Sequence, residues 1–565
     1  MENKLEVQEV TRGSGILLAV SSLPSPYGIG TLGDAARQFV DLLVDLKQKY
    51  WQILPVGPTS YGDSPYQTMS AFAGSPYLID LDELIEDGLL TKDEISCYNW
   101  GLDESTIDYA TLFDNRFRVL HQAFERFDES DSGYQQFLKE NADWIEDYGL
   151  FMALKETNGN ERWQNWPEEI KKKQPVALAK CRKALYNNIR FWTFCQYKFF
   201  EQWSRLREYA NTKGVQLIGD VSFFIGLDSA DVWLHPEQFR LDENGEATYV
   251  AAAVPDKFSE TGQIWGNPLY DWKNMEADGF DWWKKRIAMN AKLFDVIRID
   301  HFTGFVKNYM VPKDAEDTSV GKWMKGPGRK LVEAINSVLD GTPVIADDLG
   351  GKALIPGVKK LLSKTGWYGT KVLMFAFDGD TANEHLPHNY PDPHMVVYAG
   401  THDNETIVGY FRNKTEYELA YLYEYLNIKD RGEIVDGLIR CAYASIADIA
   451  IIQMQDFLKL GNEARMNQPA TVGYNWRWRL NKEQRTVGSR KTCMDPQSCG
   501  CVPQIGINRF LHIDIRRGWR FIYTFDLSLK KGEEDYEKES IISNARCNND
   551  SYYVCWMWQR QGNNK

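Results

Sequence analysis

Several carboxylates in this chain stand at the ends of apolar runs of strand length. Asp220 follows Val215-Gln216-Leu217-Ile218-Gly219, and Asp300 follows Val296-Ile297-Arg298-Ile299. Asp347 and Asp348 follow Pro343-Val344-Ile345-Ala346, and Asp403, with His402 before it, comes after Met395-Val396-Val397-Tyr398. Aspartate is a common turn former at strand ends, so each of these alone has a purely structural reading. Four such acids on successive strand ends are harder to treat that way. Burying like charges together costs free energy unless they share protons, a metal or substrate chemistry. Two chemistries fit. In glycosyl transfer one carboxylate is the nucleophile and another the acid/base, roughly 5 Å apart in retaining enzymes. In divalent-metal catalysis strand-end acids hold the ion.

The neighbouring residues favour sugars. Arg298 lies two positions before Asp300, so in a strand both face the same way. Its guanidinium is expected to lower the pKa of Asp300 and keep it ionised as a nucleophile. His301 and His402 each adjoin an acid, and neutral imidazoles donate well to hydroxyls. Phe258, Trp265, Tyr270 and Trp272 crowd one segment, and Tyr61 and Tyr66 lie in "SYGDSPYQT" just after a strand. Aromatic faces stack on the apolar faces of sugar rings, and loop positions are poorly explained by core packing.

These residues need a frame. Seven apolar segments read as strands: "GILLAV", "YWQILPV", "VQLIGD", "FDVIRID", "PVIAD", "TKVLMFAF" and "HMVVYAG". Amphipathic helical patterns separate them, among them "LGDAARQFVDLLVDLKQKY", "EQWSRLREYANTKG", "DWWKKRIAMNAKLF" and "GRKLVEAINSVLDG". Alternating buried strands and helices indicate parallel βα units. Acids gathered at the strands' C-terminal ends indicate a TIM (β/α)₈ barrel, whose active site lies on that face. An open doubly wound sheet is the alternative, but no GxGxxG or P-loop follows the early strands. The expected organisation is a barrel over residues 12–482, interrupted by a helical insertion at 83–200 and by lid and substrate-wall loops at 228–275. Residues 483–565 form a cysteine-containing tail of unassigned role.

The bulk properties bound the partners. The chain has 565 residues and a net charge of −14, a sign that opposes nucleic acid and anionic membranes. The start "MENKLEVQEV" has no apolar signal core, and no run of 18 apolar residues occurs. A cytoplasmic location is expected. Of nine cysteines, Cys97, Cys181, Cys195 and Cys441 are scattered, while Cys493, Cys499, Cys501, Cys547 and Cys555 crowd the tail at spacings that fit no standard zinc pattern.

The motifs together resemble the amylomaltases, or 4-α-glucanotransferases. The resemblance rests on "SGILLAVSSLPSPYGIGTLG", "YWQILPVGP", "YGDSPYQ", "SAFAGSPYLIDLD", "DSADVW", "TGQIWGNPLYDW", "RIDHF", "GKWMKGPG", "DDLG", "THDNET" and "RMNQPATVGYNWRWRL", in that order over roughly residues 12–480. It implies a TIM barrel with inserted subdomains and no metal or organic cofactor. It implies retaining transfer of α-1,4-glucan segments between maltooligosaccharides through a covalent glucosyl-enzyme. Asp300 would be the nucleophile, Asp347 the acid/base, and Asp403 the stabiliser of the oxocarbenium-like transition state. Substrate contacts would fall on Ser64, Tyr66, Asp220, Phe258, Trp265, Arg298, His301, Asp378 and His402. The oligomeric state is not specified.

The sequence departs from the family pattern at several of these motifs. Asp347 stands where the family carries glutamate, Thr303 where it carries arginine, and Lys257 where it carries tyrosine. Ser75 replaces an asparagine, Ala19 and Val20 occupy the region of a missing histidine, and "YGTKVL" replaces "PGMKVL". Aspartate is one methylene shorter than glutamate, which sets its proton back by about 1.5 Å. Misplacement on that scale costs on the order of 10²-fold in rate. Beside an active transferase stand two alternatives, a glucan-binding homologue with impaired catalysis and a metal-dependent barrel enzyme. Within the 347–348 pair, strand alternation aims Asp347 at the mouth and Asp348 away from it, toward the turn.

Overall fold

The computed structural model describes residues 9–60, 62–101, 103–255, 259–350, 354–481 and 484. Phe258, Lys257, Tyr61 and the five tail cysteines therefore lie outside the described residues.

Eight parallel strands form the core of the fold: β1 (Gly13–Leu17), β2 (Tyr50–Gln52), β3 (Gln216–Val221), β4 (Val296–Ile299), β5 (Val344–Ala346), β6 (Gly369–Val372), β7 (Met395–Tyr398) and β8 (Ile449–Gln453). Their hydrogen-bonded order is β6-β7-β8-β1-β2-β3-β4-β5. The ends meet through Tyr368, whose N–H donates to Val344 O and whose carbonyl accepts from the Ala346 N–H, both at 2.8 Å. The sheet thus curls into a nearly closed TIM barrel. Strands buried on both faces must be apolar throughout, and the run "IAIIQ" of β8 is as clear a case as "VIRI" of β4. Yet β8 is absent from the seven expected strands.

Helices cover the outside. The helix Asp281–Leu293 leads into β4, and Phe294 just after it packs against β3. A Cβ at Gly219 would lie 2.0 Å from the Phe294 ring, so glycine is required for that approach. Between β2 and β3 the chain forms helices from Leu81 to Thr212, the longest of them the 27-residue helix Tyr186–Thr212, which packs on β3 and on the helix Asp34–Asp45. The long helix ends at Gly214, whose φ of +78° reverses the chain into β3. No helix among the described residues is long and apolar enough to cross a membrane.

Residues 228–275 differ from the loops expected there. Tyr249–Ala253 and Gln263–Pro268 are strands, and they join Lys307–Pro312 and Lys322–Lys325 in a four-stranded antiparallel sheet beyond the barrel mouth. Their sequences, "YVAAA" and "QIWGNP", carry few of the β-branched residues that mark a strand. Trp265 consequently projects from a strand rather than from a loop.

Candidate active site

The parallel register places Asp220 beside Arg298, and Arg298 beside Ile345, across β3, β4 and β5. Side chains at matching positions of neighbouring strands share a face, so Arg298 projects among the acids at the strand ends. Its Nη1 donates to Asp220 Oδ1 at 2.8 Å, Asp220 Oδ2 at 2.6 Å and Asp300 Oδ1 at 3.1 Å, while Nη2 donates to Asp347 Oδ2 at 2.9 Å. One buried guanidinium thus joins three carboxylates. Backbone bonds lock the acids to the barrel: Asp300 N–H donates to Val221 O and Asp347 N–H to Ile299 O, each at 3.0 Å.

The charge balance corrects the expectation for Asp300. Burial pushes its carboxyl well above the ordinary range; the Arg298 guanidinium opposes this, and Asp347 and Asp220 add to it. Desolvation, with the repulsion of the two neighbouring carboxyl groups, outweighs the one arginine that all three share.

The two acids of "ADDLG" diverge. Asp347 turns to Arg298, with its Oδ2 also 3.4 Å from the His301 N–H, and its Oδ1 is buried without a hydrogen-bond partner. Asp348 Oδ1 accepts the Thr370 N–H at 2.7 Å and so ties the loop to β6; burial pushes this carboxyl up to about 6, against Lys371 nearby.

His301 holds a left-handed backbone, φ 49°, a strained conformation that clusters at functional sites. Burial pushes its imidazole down to about 4, so it is neutral at pH 7. Thr303 Oγ1 lies 3.2 Å from its Nδ1, and the Trp265 ring meets it edge-on at 4.9 Å. Tyr66 donates its hydroxyl proton to Asp220 Oδ2 at 2.9 Å and stacks on His402 at 5.2 Å. Ser64 Oγ accepts the Tyr66 N–H. His402 is buried with neither ring nitrogen hydrogen-bonded, its Nε2 3.5 Å from Asp403 Oδ1.

The structure therefore gathers Tyr66, Asp220, Trp265, Arg298, Asp300, His301 and Asp347 by direct contact. Ser64 and His402 join them through Tyr66, and Asp403 through His402. Asp378 lies exposed beyond β6, where its charge acts on Tyr410 and Tyr421.

Some residues that hold the site were not anticipated. Asn467 Nδ2 donates to Asp403 Oδ1 at 2.7 Å, and Arg465 Nη2 donates to the Asp403 carbonyl at 2.8 Å. Both lie in "RMNQPATVGYNWRWRL", which offered them no individual role. Asp456, just past the unexpected β8, is fully buried, and its Oδ1 accepts the Ile407 N–H at 2.7 Å from the segment after Asp403. Burial pushes this carboxyl up to about 7. The folded state then holds a proton that the unfolded chain has lost, so stability falls as pH rises from about 4 to about 7. Asp456→Asn keeps an acceptor for Ile407 and removes that slope. Thermal denaturation at pH 8 should show the variant more stable than the parent by a few kcal/mol, at about 1.4 kcal/mol for each tenfold difference in proton affinity between the folded and unfolded chain. The gap should close by pH 4.

Two of the sequence departures meet at one place. Ala19 and Ser75 line a cavity of about 40 Å³ together with Asp63, Tyr77 and Trp476. At the focus of the acids, where a metal-dependent enzyme would hold its ion, the groups present are the Arg298 nitrogens. Among the described residues, no cluster of three or more His, Cys, Asp or Glu is placed to bind a metal.

The family model described as 4-alpha-glucanotransferase, glycoside hydrolase family 77, matches residues 18–485. A 4-alpha-glucanotransferase of Streptococcus pneumoniae is 41% identical over 488 residues, 86% of this chain and 96% of that protein. One from Thermus thermophilus is 43% identical over 483 residues, 84% of this chain and 95% of that protein. Among solved structures, the amylomaltase from Streptococcus agalactiae in complex with acarbose superposes with a TM-score of 0.80 at 40% identity, covering 84% of this chain and 96% of that one.

Proposed function

This chain belongs to the 4-alpha-glucanotransferase family and is an enzyme of α-1,4-glucan transfer; we propose that it works through a covalent intermediate on Asp300, with Asp347 as acid/base and Asp403 as transition-state stabiliser. The carrying observation is the arginine-centred group, which sets Asp300 and Asp347 on two bonds of one guanidinium.

In the first half-reaction the Asp300 carboxylate attacks the anomeric carbon of a donor glucose unit. The glycosidic C1–O bond breaks, and the proton on Asp347 passes to the departing oxygen. In the second, the Asp347 carboxylate takes the proton of an acceptor hydroxyl. That oxygen attacks the same carbon and releases Asp300. Arg298 holds both acids at fixed separation, which converts orientation into rate. Asp403, fixed by Asn467 and Arg465, contributes charge opposite the developing oxocarbenium ion. The ring nitrogens of His301 and His402 are suited to bind sugar hydroxyls, and Tyr66 and Trp265 supply ring faces. Water arriving in place of the acceptor would give hydrolysis, so closure of the cleft by a bound sugar favours transfer.

The substrates on this reading are maltooligosaccharides. Incubation with maltotriose, followed by chromatography, should yield glucose and a ladder of longer maltodextrins. Glucose and maltose with no longer products would point to hydrolysis, and no products despite binding of maltoheptaose would sink the catalytic assignment.

A further inference from the structure

Beyond the acids, one loop of the cleft rim has an unusual build. Residues 468–475 are tied together by two side chains: Asn475 Oδ1 accepts the Gln468 N–H at 3.0 Å, its Nδ2 donates to Gln468 O at 3.3 Å and Thr471 O at 3.0 Å, and Thr471 Oγ1 donates to Gln468 O at 2.7 Å. Ala470 sits at φ +65°, a conformation that costs free energy for any residue with a Cβ. Strain of this kind persists only where the surroundings over-determine it. This rigid loop holds out two apolar side chains, Tyr474 at 88% exposure and Val472 at 67%.

The loop is continuous with the catalytic cleft at both ends. Upstream, Asn467 holds Asp403. Downstream, Trp476 turns inward and packs against Tyr66 and His402, with centroids 5.6 and 6.0 Å apart. Across the mouth, a Cβ at Gly62 would lie 3.5 Å from Val472, so the loop tip faces the segment that carries Ser64 and Tyr66. Presenting an exposed ring on a pre-set backbone removes the ordering cost of binding.

We propose that Tyr474, backed by Val472, is a stacking platform for a glucose unit of the α-1,4-glucan where the chain leaves the cleft. The platform sets a preference for chains longer than those held at the acids alone. An uncharged partner with flat apolar faces matches a tyrosine ring presented beside the acid-lined cleft of a chain of net charge −14. This inference rests on the glucan-transfer reading, and binding separates the two.

The test compares Tyr474→Ala and Tyr474→Phe with the parent by calorimetric titration of maltoheptaose and maltotriose. Tyr474→Ala should weaken maltoheptaose about three- to tenfold, as expected for one lost aromatic contact. It should leave maltotriose affinity within twofold, and Tyr474→Phe should bind both sugars as the parent does. Equal loss for both sugars, or no loss for either, overturns the platform. Unchanged sugar affinity with a shift from dimer to monomer in sedimentation also overturns it, assigning the rim to a protein contact. If the parent forms no maltodextrin ladder, the catalytic reading fails, while the maltoheptaose-to-maltotriose affinity ratio still decides the platform.

Discussion

Replacing Asp347 by glutamate should raise kcat for maltotriose transfer by about 10- to 100-fold. The present side chain is short, and its Oδ2 is committed to Arg298 at 2.9 Å. For the proposed acid/base role only Oδ1 remains, and it lies about one carbon–carbon bond further back than a glutamate oxygen would. General acid/base catalysis contributes on the order of 10²–10⁴-fold, so a setback of that size forfeits a large part of it. The longer side chain would still leave Arg298 paired with Asp220 and Asp300, so the group should tolerate the change. Asp347→Asn supplies the control: it should abolish what acid catalysis the parent has. An unchanged rate in both variants would remove Asp347 from the acid/base role.

Asp300→Asn carries the largest loss. Removing the proposed nucleophile should lower the transfer rate by at least about 10⁴-fold. The fold should not suffer. Burial and the neighbouring carboxylates push the Asp300 carboxyl up, so ionising it costs the folded protein more free energy than the unfolded chain. The folded state holds that proton more tightly than the unfolded chain, and stability falls as pH rises above about 4 toward the folded pKa. Asparagine has nearly the same shape, keeps an oxygen for Arg298 and carries no charge. The variant should therefore match or exceed the parent's melting temperature at pH 7 while being nearly inactive. A variant both inactive and strongly destabilised would mean that Asp300 is held for structure.

Much of this site is legible in the residues themselves, and the limits are physical. Asp220, Asp300, Asp347 and Asp403 mark themselves because an apolar strand that ends in an acid breaks its own pattern. β8 carries no such mark, and neither does Asp456 behind it, although the two support the Asp403 segment from below. The strands Tyr249–Ala253 and Gln263–Pro268 are hidden by alanine, glycine and proline; they are strands because of the partners they pair with, which local propensity does not register. The pKa of Asp300 runs opposite to expectation because the i, i+2 relation shows Arg298 but not the two further carboxylates that share it. Asn467 and Arg465 reach Asp403 from more than sixty positions away, a distance at which spacing carries no information.

The division of labour among the three acids is tested most directly by trapping. A 5-fluoro-α-glucosyl fluoride slows breakdown of a glycosyl-enzyme more than its formation, and so should accumulate the intermediate. Peptide mass spectrometry of the trapped protein is then expected to find one glycosyl unit, esterified to Asp300 within "RIDHF". A label on Asp347 or Asp403, or transfer at the parent's rate by an Asp300→Asn variant that takes up no label, would contradict the account.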